Sequence, residues 1–346
     1  MIHDRGVNEI RHTPIVGEDY LRTWGQFEEW FASEDDCLRY LERLRWRDGF
    51  VCPRCGYTHE PYRANRARLI CRSCRLQCTV TSGTIFDKTR TPLKVWLAAA
   101  WYITSRKSGV SALGLQRVLG LGSYQTAWTM LHRFRRAMVR PGRERLKGNV
   151  EIDQSYLAIR DRRESPPSAG RKGYTTKTLI VIAVEILEPK GFGRIRLQRI
   201  EEETAACVLP FVNEVVEPGS VIRTDGGSIY LSLSEDYQHE RTVVKSVTPG
   251  SIPPAHVTLP GVHRVAFLLK RWLLSTHQGA VKPVQLDYYL DEFVFRFNRR
   301  TSRSRGLLFY RLLEQAVITD PVTYGEVARK SRPTKRSHSR NAKLWS

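Results

Sequence analysis

Apolar positions recur at helical spacing early in the chain, where Cys37, Leu38, Tyr40, Leu41 and Leu44 follow Ser33 and an acidic turn of Glu34, Asp35 and Asp36. A hydroxyl ahead of carboxylates and an apolar stripe predicts an N-capped amphipathic helix. Thr91-Pro92 predicts a second start, with the threonine as cap and proline at the first helical position, and Leu93 to Thr104 continues as an apolar helix. Ser111 then caps a short helix through Leu119, Gly120 and Gly122 make a tight turn, and Ser123 caps a third helix to about Met138. On that third helix Ala127, Trp128 and Leu131 are expected to pack inward, leaving Tyr124, Gln125, Thr129, Arg133, Arg135 and Arg136 outside. This pattern fits a helix-turn-helix with a recognition helix for a DNA groove, and equally an ordinary helical hairpin.

The periodicity changes from three and four to two at Asn149. Val150-Glu151-Ile152-Asp153 alternates, Leu179 to Leu187 is almost continuously apolar, and Gly193 to Ile200 alternates again, which predicts three neighbouring strands. Arg160 to Lys177, between the first two, is rich in Arg, Lys, Pro, Ser and Gly and is expected to be a mobile basic loop. A helix over Thr204 to Val216, a strand over Val221 to Thr224, a short helix and a strand over Arg241 to Ser246 follow, with helices at about 262–275 and 283–299. The predicted order is three strands, helix, strand, helix, strand, helix, an α/β domain.

Cys52-Pro-Arg-Cys55-Gly56 and Cys71-Arg-Ser-Cys74 are separated by fifteen residues, a spacing that brings two thiolate pairs to one structural Zn2+. Gly56 supplies a left-handed turn for the first knuckle. His59 and Cys78 lie outside the paired spacing, and Cys37 and Cys207 are expected to be small core residues. A chain of 346 residues, 41% hydrophobic and 10% aromatic, exceeds one core and can bury several. Its longest charge-free apolar stretch, Val95 to Ser105, is about half of the roughly 20 residues a bilayer helix needs, so no membrane contact is expected. The first ten residues carry no apolar signal segment, so the chain is expected to stay in the cytoplasm. With 56 Lys and Arg against 35 Asp and Glu the net charge is +21, a bias toward a polyanion such as nucleic acid and hence toward the nucleoid.

Asp153 lies on a predicted strand opposite in facing to Val150 and Ile152, and Asp225 ends a later strand, where α/β sheets place their sites. Two such carboxylates can share divalent ions that assist the attacking and leaving oxygens of a phosphodiester, although Asp225-Gly226 alone is an ordinary turn signal.

Several segments together resemble zinc-ribbon insertion-sequence transposases of bacteria and archaea. They are Asp-Gly-Phe-Val-Cys-Pro-Arg-Cys-Gly (48 to 56), Gln-Thr-Ala-Trp-Thr-Met-Leu-His-Arg from Gln125, Val-Glu-Ile-Asp-Gln-Ser-Tyr from Val150, Pro-Gly-Ser-Val-Ile-Arg-Thr-Asp ending at Asp225, Leu-Leu-Lys-Arg from Leu268, and Leu-Asp-Glu-Phe-Val-Phe-Arg-Phe-Asn-Arg-Arg from Leu290. The resemblance runs from about residue 25 to 315. It implies an RNase H-like mixed sheet flanked by helices, preceded by a zinc ribbon and a helix-turn-helix. It also implies an Asp, Asp and Glu or Asn site for Mg2+ or Mn2+, with a lysine seven residues after the third ligand. Here the third position falls on His263 and the lysine on Lys270, and no acid occurs from Arg241 to Leu286. A neutral imidazole suits Mn2+ better than Mg2+; an ordinary surface histidine in a decayed copy would occupy the same position.

The expected organisation is therefore an N-terminal helical segment (1–46), zinc ribbon (47–88), helix-turn-helix (89–142), catalytic domain (148–315) and basic disordered tail (316–346). The resemblance implies a DNA transposase that binds terminal repeats and target DNA as a homo-oligomer and cuts and joins strands. The alternative is an inactive or domesticated copy that binds DNA without cutting it.

Overall fold

The computed structural model describes residues 13–140, 142–160, 175–241 and 258–329. Helices α1 (Trp24–Trp30) and α2 (Glu34–Arg45) each begin with a capping box, in which Thr23 and Ser33 accept from main-chain N–H groups of Gln26 and Asp36 and those side chains accept in return. A three-stranded antiparallel sheet follows, β1 (Tyr62–Ala64), β2 (Arg68–Ile70) and β3 (Gln77–Cys78). Helices α3 (Leu93–Ser105), α4 (Ala112–Val118) and α5 (Tyr124–Ala137) come next, with Ser111 and Ser123 capping the last two as their sequence predicts. The start of α3 differs from expectation. Thr91 is bonded to Thr89, and the first N–H groups of α3, at Leu93 and Lys94, donate instead to the Glu34 carboxylate at 2.6 and 3.4 Å. A carboxylate at the positive end of a helix dipole does the same work as a local hydroxyl, from 59 residues away.

The second half is built on a five-stranded mixed sheet: β4 (Asn149–Arg160), β5 (Thr175–Ile186), β6 (Phe192–Ile200), β7 (Val221–Thr224) and β8 (Gln238–Arg241), in the order β6-β5-β4-β7-β8. β4, β5 and β6 form an antiparallel meander, while β7 is parallel to β4 and β8 parallel to β7. One face is covered by α6 (Ala205–Val215) and a 3-10 helix (Ser228–Glu235), packed on Val150, Ile152, Val181 and Ala183. The other is covered by α7 (Pro260–His277) and α8 (Leu286–Asn298), packed on Leu157, Ile180, Ile182 and Ile195. β5 is buried on both faces, which is why its sequence is apolar without alternation. The hairpin arms reach Arg160 and Thr175, so both ends of the expected basic loop are strand; its remainder, 161–174, lies outside the described residues. β8 starts three residues before the expected strand, because Gln238–Arg241 is an exposed polar edge with no apolar alternation to read; 242–246 lie outside the described residues.

Helix α9 (Arg305–Ala316) leaves the sheet and completes the N-terminal core, where Phe309, Leu312 and Leu313 are fully buried beside Leu21, Phe27, Phe31 and Leu97. The approach is close: a Cβ on Gly306 would stand 1.5 Å from the Leu21 carbonyl oxygen. α9, which the expected catalytic domain (148–315) takes in almost whole, thus packs with residues of the N-terminal core. The segment after 316 also has structure within the described residues, since Val322 and Val327, the latter on α10 (Tyr324–Arg329), are buried against Tyr288.

Candidate functional site

Two knuckles bring the four cysteines together. Cys52 O accepts from Gly56 N–H and Cys71 O accepts from Arg75 N–H, and each turn closes through a positive φ, +73° at Gly56 and +57° at Arg75. Sulfurs of Cys52 and Cys74 lie 3.6 Å apart, those of Cys55 and Cys71 3.7 Å, and all four within 4.8 Å of one another. Zinc–thiolate bonds of about 2.3 Å require tetrahedral sulfurs about 3.8 Å apart, so the donor set fits one zinc with no open position. The Tyr57 main-chain N–H favours a Cys55 thiolate and holds that thiol below its usual range, whereas burial raises Cys52. His59 lies tilted against Tyr57 with ring centroids 5.0 Å apart and Cys78 is buried in the core, so neither joins the quartet.

The aspartates are set by strand register. Asn149, Val150 and Glu151 of β4 pair in parallel with Val221, Ile222 and Arg223 of β7, and two further positions along the chain lead to Asp153 on β4 and to Asp225 just past the end of β7. Neighbouring strands are about 4.8 Å apart, which makes the two carboxylates neighbours. Burial raises the Asp153 carboxyl to about 6, and repulsion from Asp225 and Glu203 adds to this against a bond from Gln154 N–H. Asp225 is exposed and held by Gly227 N–H at 3.1 Å, in a turn that Gly226 closes at φ +83°. Oxygen donors whose crowding disfavours their own ionised form suit a divalent cation. Glu203, just before the Thr204 cap of α6, is not singled out by the sequence because its effect on Asp153 depends on the fold.

Glu151 has a definite role. Its carboxylate is buried and accepts from Gly261 and Val262 N–H at 2.7 and 3.1 Å, which pins the first turn of α7 to β4 two residues from Asp153. His263 follows directly and is half-buried, while Lys270 is exposed two turns later. Among the described residues the cysteine quartet is the set whose donors gather round a single ion; Asp153, Asp225 and His263 do not close to that spacing. A pair of ions about 4 Å apart allows its ligands to be spread more widely.

On α5, Tyr124 and Gln125 are exposed in the first turn and Thr129 donates to Gln125 O at 2.8 Å. Arg133 is engaged inward, donating to the carbonyls of Val322, Ile85 and Asp87 at 2.9, 2.8 and 3.3 Å, and Arg136 is half-buried. Arg135, expected outside, is 1% exposed. It donates to Glu292 of α8 at 2.8 Å and lies 3.9 Å from the Tyr289 ring centroid, while Arg296 donates to the other Glu292 oxygen at 2.8 Å. Arg296 also reaches the carbonyls of Arg106 and Ile103, so one carboxylate joins α5, the turn after α3 and the sheet domain. No described helix is long and apolar enough to cross a membrane.

Two parts of the chain match known families. Residues 145–298 match the ISXO2-like transposase domain and residues 32–77 the transposase zinc-ribbon domain. The chain is 27% identical to an uncharacterized protein in transposable element ISH50 of Halobacterium salinarum, over 77% of this chain and 91% of that one. A chain in the cryo-EM structure of the simian T-cell lymphotropic virus intasome with PP2A regulatory subunit B56 gamma aligns at 16% identity over 56% of this chain and 70% of its own, with a TM-score of 0.32, too slight to bear on the fold. The knuckles lie within the zinc-ribbon match and the paired strands within the transposase-domain match, and the chain belongs to the zinc-ribbon insertion-sequence transposases.

Proposed function

We propose that the protein binds the ends of its element and cleaves and joins DNA strands with divalent ions held at Asp153 and Asp225. The observation that carries this reading is the parallel register of β4 and β7, which makes neighbours of two carboxylates inside the matched transposase domain. Bound Mg2+ or Mn2+ would supply Lewis acidity toward the phosphodiester oxygens. Asp153 and Asp225 bind it, His263 completes the set, Glu151 positions the helix that carries His263, and Lys270 holds a phosphate of the reacting strand. Zn2+ at Cys52, Cys55, Cys71 and Cys74 keeps the ribbon folded. Tyr124 and Gln125, in the exposed first turn of α5, are placed to meet base edges, with Thr129 and Arg136 further along; Arg133 serves the helix's seating.

The imidazole at 263 favours a second reading, a copy that binds DNA without cutting it. Cleavage of duplexes taken from the DNA flanking the reading frame, in Mg2+ and in Mn2+, separates the two. An active wild type with a Mn2+ preference that H263E moves toward Mg2+ supports the ligand role, because oxygen then replaces nitrogen. A wild type inactive in both ions supports the second reading. Full activity in Mg2+ with H263A unchanged removes His263 from the site.

A further inference from the structure

Helix α7 buries Val262, Val265, Leu269 and Leu273 against the sheet and exposes Arg264, Phe267, Lys270 and Arg271 on its opposite side. Phe267 is 53% exposed, and the guanidiniums of Arg264 and Arg271 lie 6.0 and 5.7 Å from its ring centroid. The helix holds no Asp or Glu. Its position relative to the carboxylates is fixed at the Glu151 pin: Phe267 stands five residues after Val262, about 7.5 Å along the axis.

We propose that Phe267 is a stacking platform for an unpaired base of the DNA strand entering the site, with Arg264, Lys270 and Arg271 holding the phosphates on either side. This rests on the DNA-cleaving reading and names how the strand is held. A nucleotide offers a π-face flanked by negative charge, which is complementary to a ring flanked by cations. A second copy of this chain, itself at +21, would meet that face with repulsion. The base must be unpaired, because within a duplex its faces are covered by neighbouring bases and only a frayed or extruded one can lie on a side chain.

The test uses the full chain with divalent ions omitted, so that binding is read without cleavage. Two probes are compared, a fully paired duplex of the element end and the same duplex with a short single-stranded overhang. Wild type is expected to bind the overhang probe about tenfold more tightly, in the range one stacked base supplies. F267L keeps apolar bulk without a π-face and should lose most of that preference while still binding the paired duplex; F267W should retain it. R264Q and R271Q should weaken both probes alike. A wild type without preference, or F267L with the full preference, overturns the proposal. So does an altered self-association of DNA-free F267L with its base preference intact, which would assign the face to a second copy. The cleavage reading fails separately, since loss of carboxylate-dependent cutting leaves this binding preference untouched.

Discussion

Replacing Glu292 by glutamine should destabilise the protein severely although it changes one atom. The carboxylate is 1% exposed and faces Arg135, also 1% exposed, and Arg296. Burial alone would raise its pKa, but the two guanidiniums outweigh burial and hold it well below the usual carboxylate range. A charge pair near 4 Å at an effective dielectric of 20 is worth about 4 kcal/mol, and removing one partner of a buried pair costs about 3–5 kcal/mol because the other charge stays buried and unmatched. At about 2–4 °C per kcal/mol for a unit of this size, E292Q should melt roughly 6–20 °C below wild type by circular dichroism or scanning fluorimetry. A depressed carboxylate contributes stability above its unfolded value of 4.5 and loses it as pH falls toward the folded value, so the gap between wild type and E292Q should be full at pH 7 and narrow below about 4.5. Exchanging Arg135 and Glu292 together for methionine should cost less than the two single changes summed. An E292Q protein melting within 2 °C of wild type at pH 7 would refute the reasoning.

Three further outcomes are expected. C55S should purify with its zinc lost and the segment around 52–78 open to protease, measured by metal analysis; full zinc content would remove the quartet assignment. Asp153, raised from 3.8 to about 6, favours the folded state only below its unfolded value and opposes it above about 6, so D153N should stabilise the metal-free protein at pH 7. The full difference corresponds to about 3 kcal/mol at 1.36 per pH unit, or about 1–2 after screening in a half-open site, and thermal melting should show the gain at pH 7 and its disappearance near pH 4. Added Mn2+ should raise the melting temperature of wild type more than that of D153N. Q125A should reduce discrimination between the element end and random duplex in competition binding, whereas R133A should lower the melting temperature through three vacated carbonyls; the reverse pattern would reassign the two residues.

Local signals carried much of this architecture. The cysteine spacing located the quartet, the two serines after Val110 and Gly122 marked real helix caps, and Asp153 and Asp225 stood out by ending or interrupting apolar strand patterns. What was not legible depends on partners distant in sequence. Arg135 carries the same charge as an exposed arginine, and only Glu292, 157 residues later, makes its burial tolerable. Glu151 looks like a solvated strand carboxylate in the sequence, and only the fold shows that α7 begins on it. The apolar stripe of α9 announces a buried helix but not which core receives it, and Phe309 joins Phe27 across most of the chain. The register of β4 and β7 likewise emerges only from pairing, although it is what brings two aspartates distant in sequence beside each other.

The central claim is that Asp153 and Asp225 hold the ions for strand cleavage, and it is tested most directly by comparing wild type, D153N and D225N for cutting of element-end duplexes at equal DNA occupancy in Mn2+. The account predicts cleavage by wild type and a loss of at least about a thousandfold in each variant, with binding to the same duplex changed less than about threefold, the expectation for groups that act on the ions and not on docking. Cleavage by D225N at the wild-type rate would contradict it.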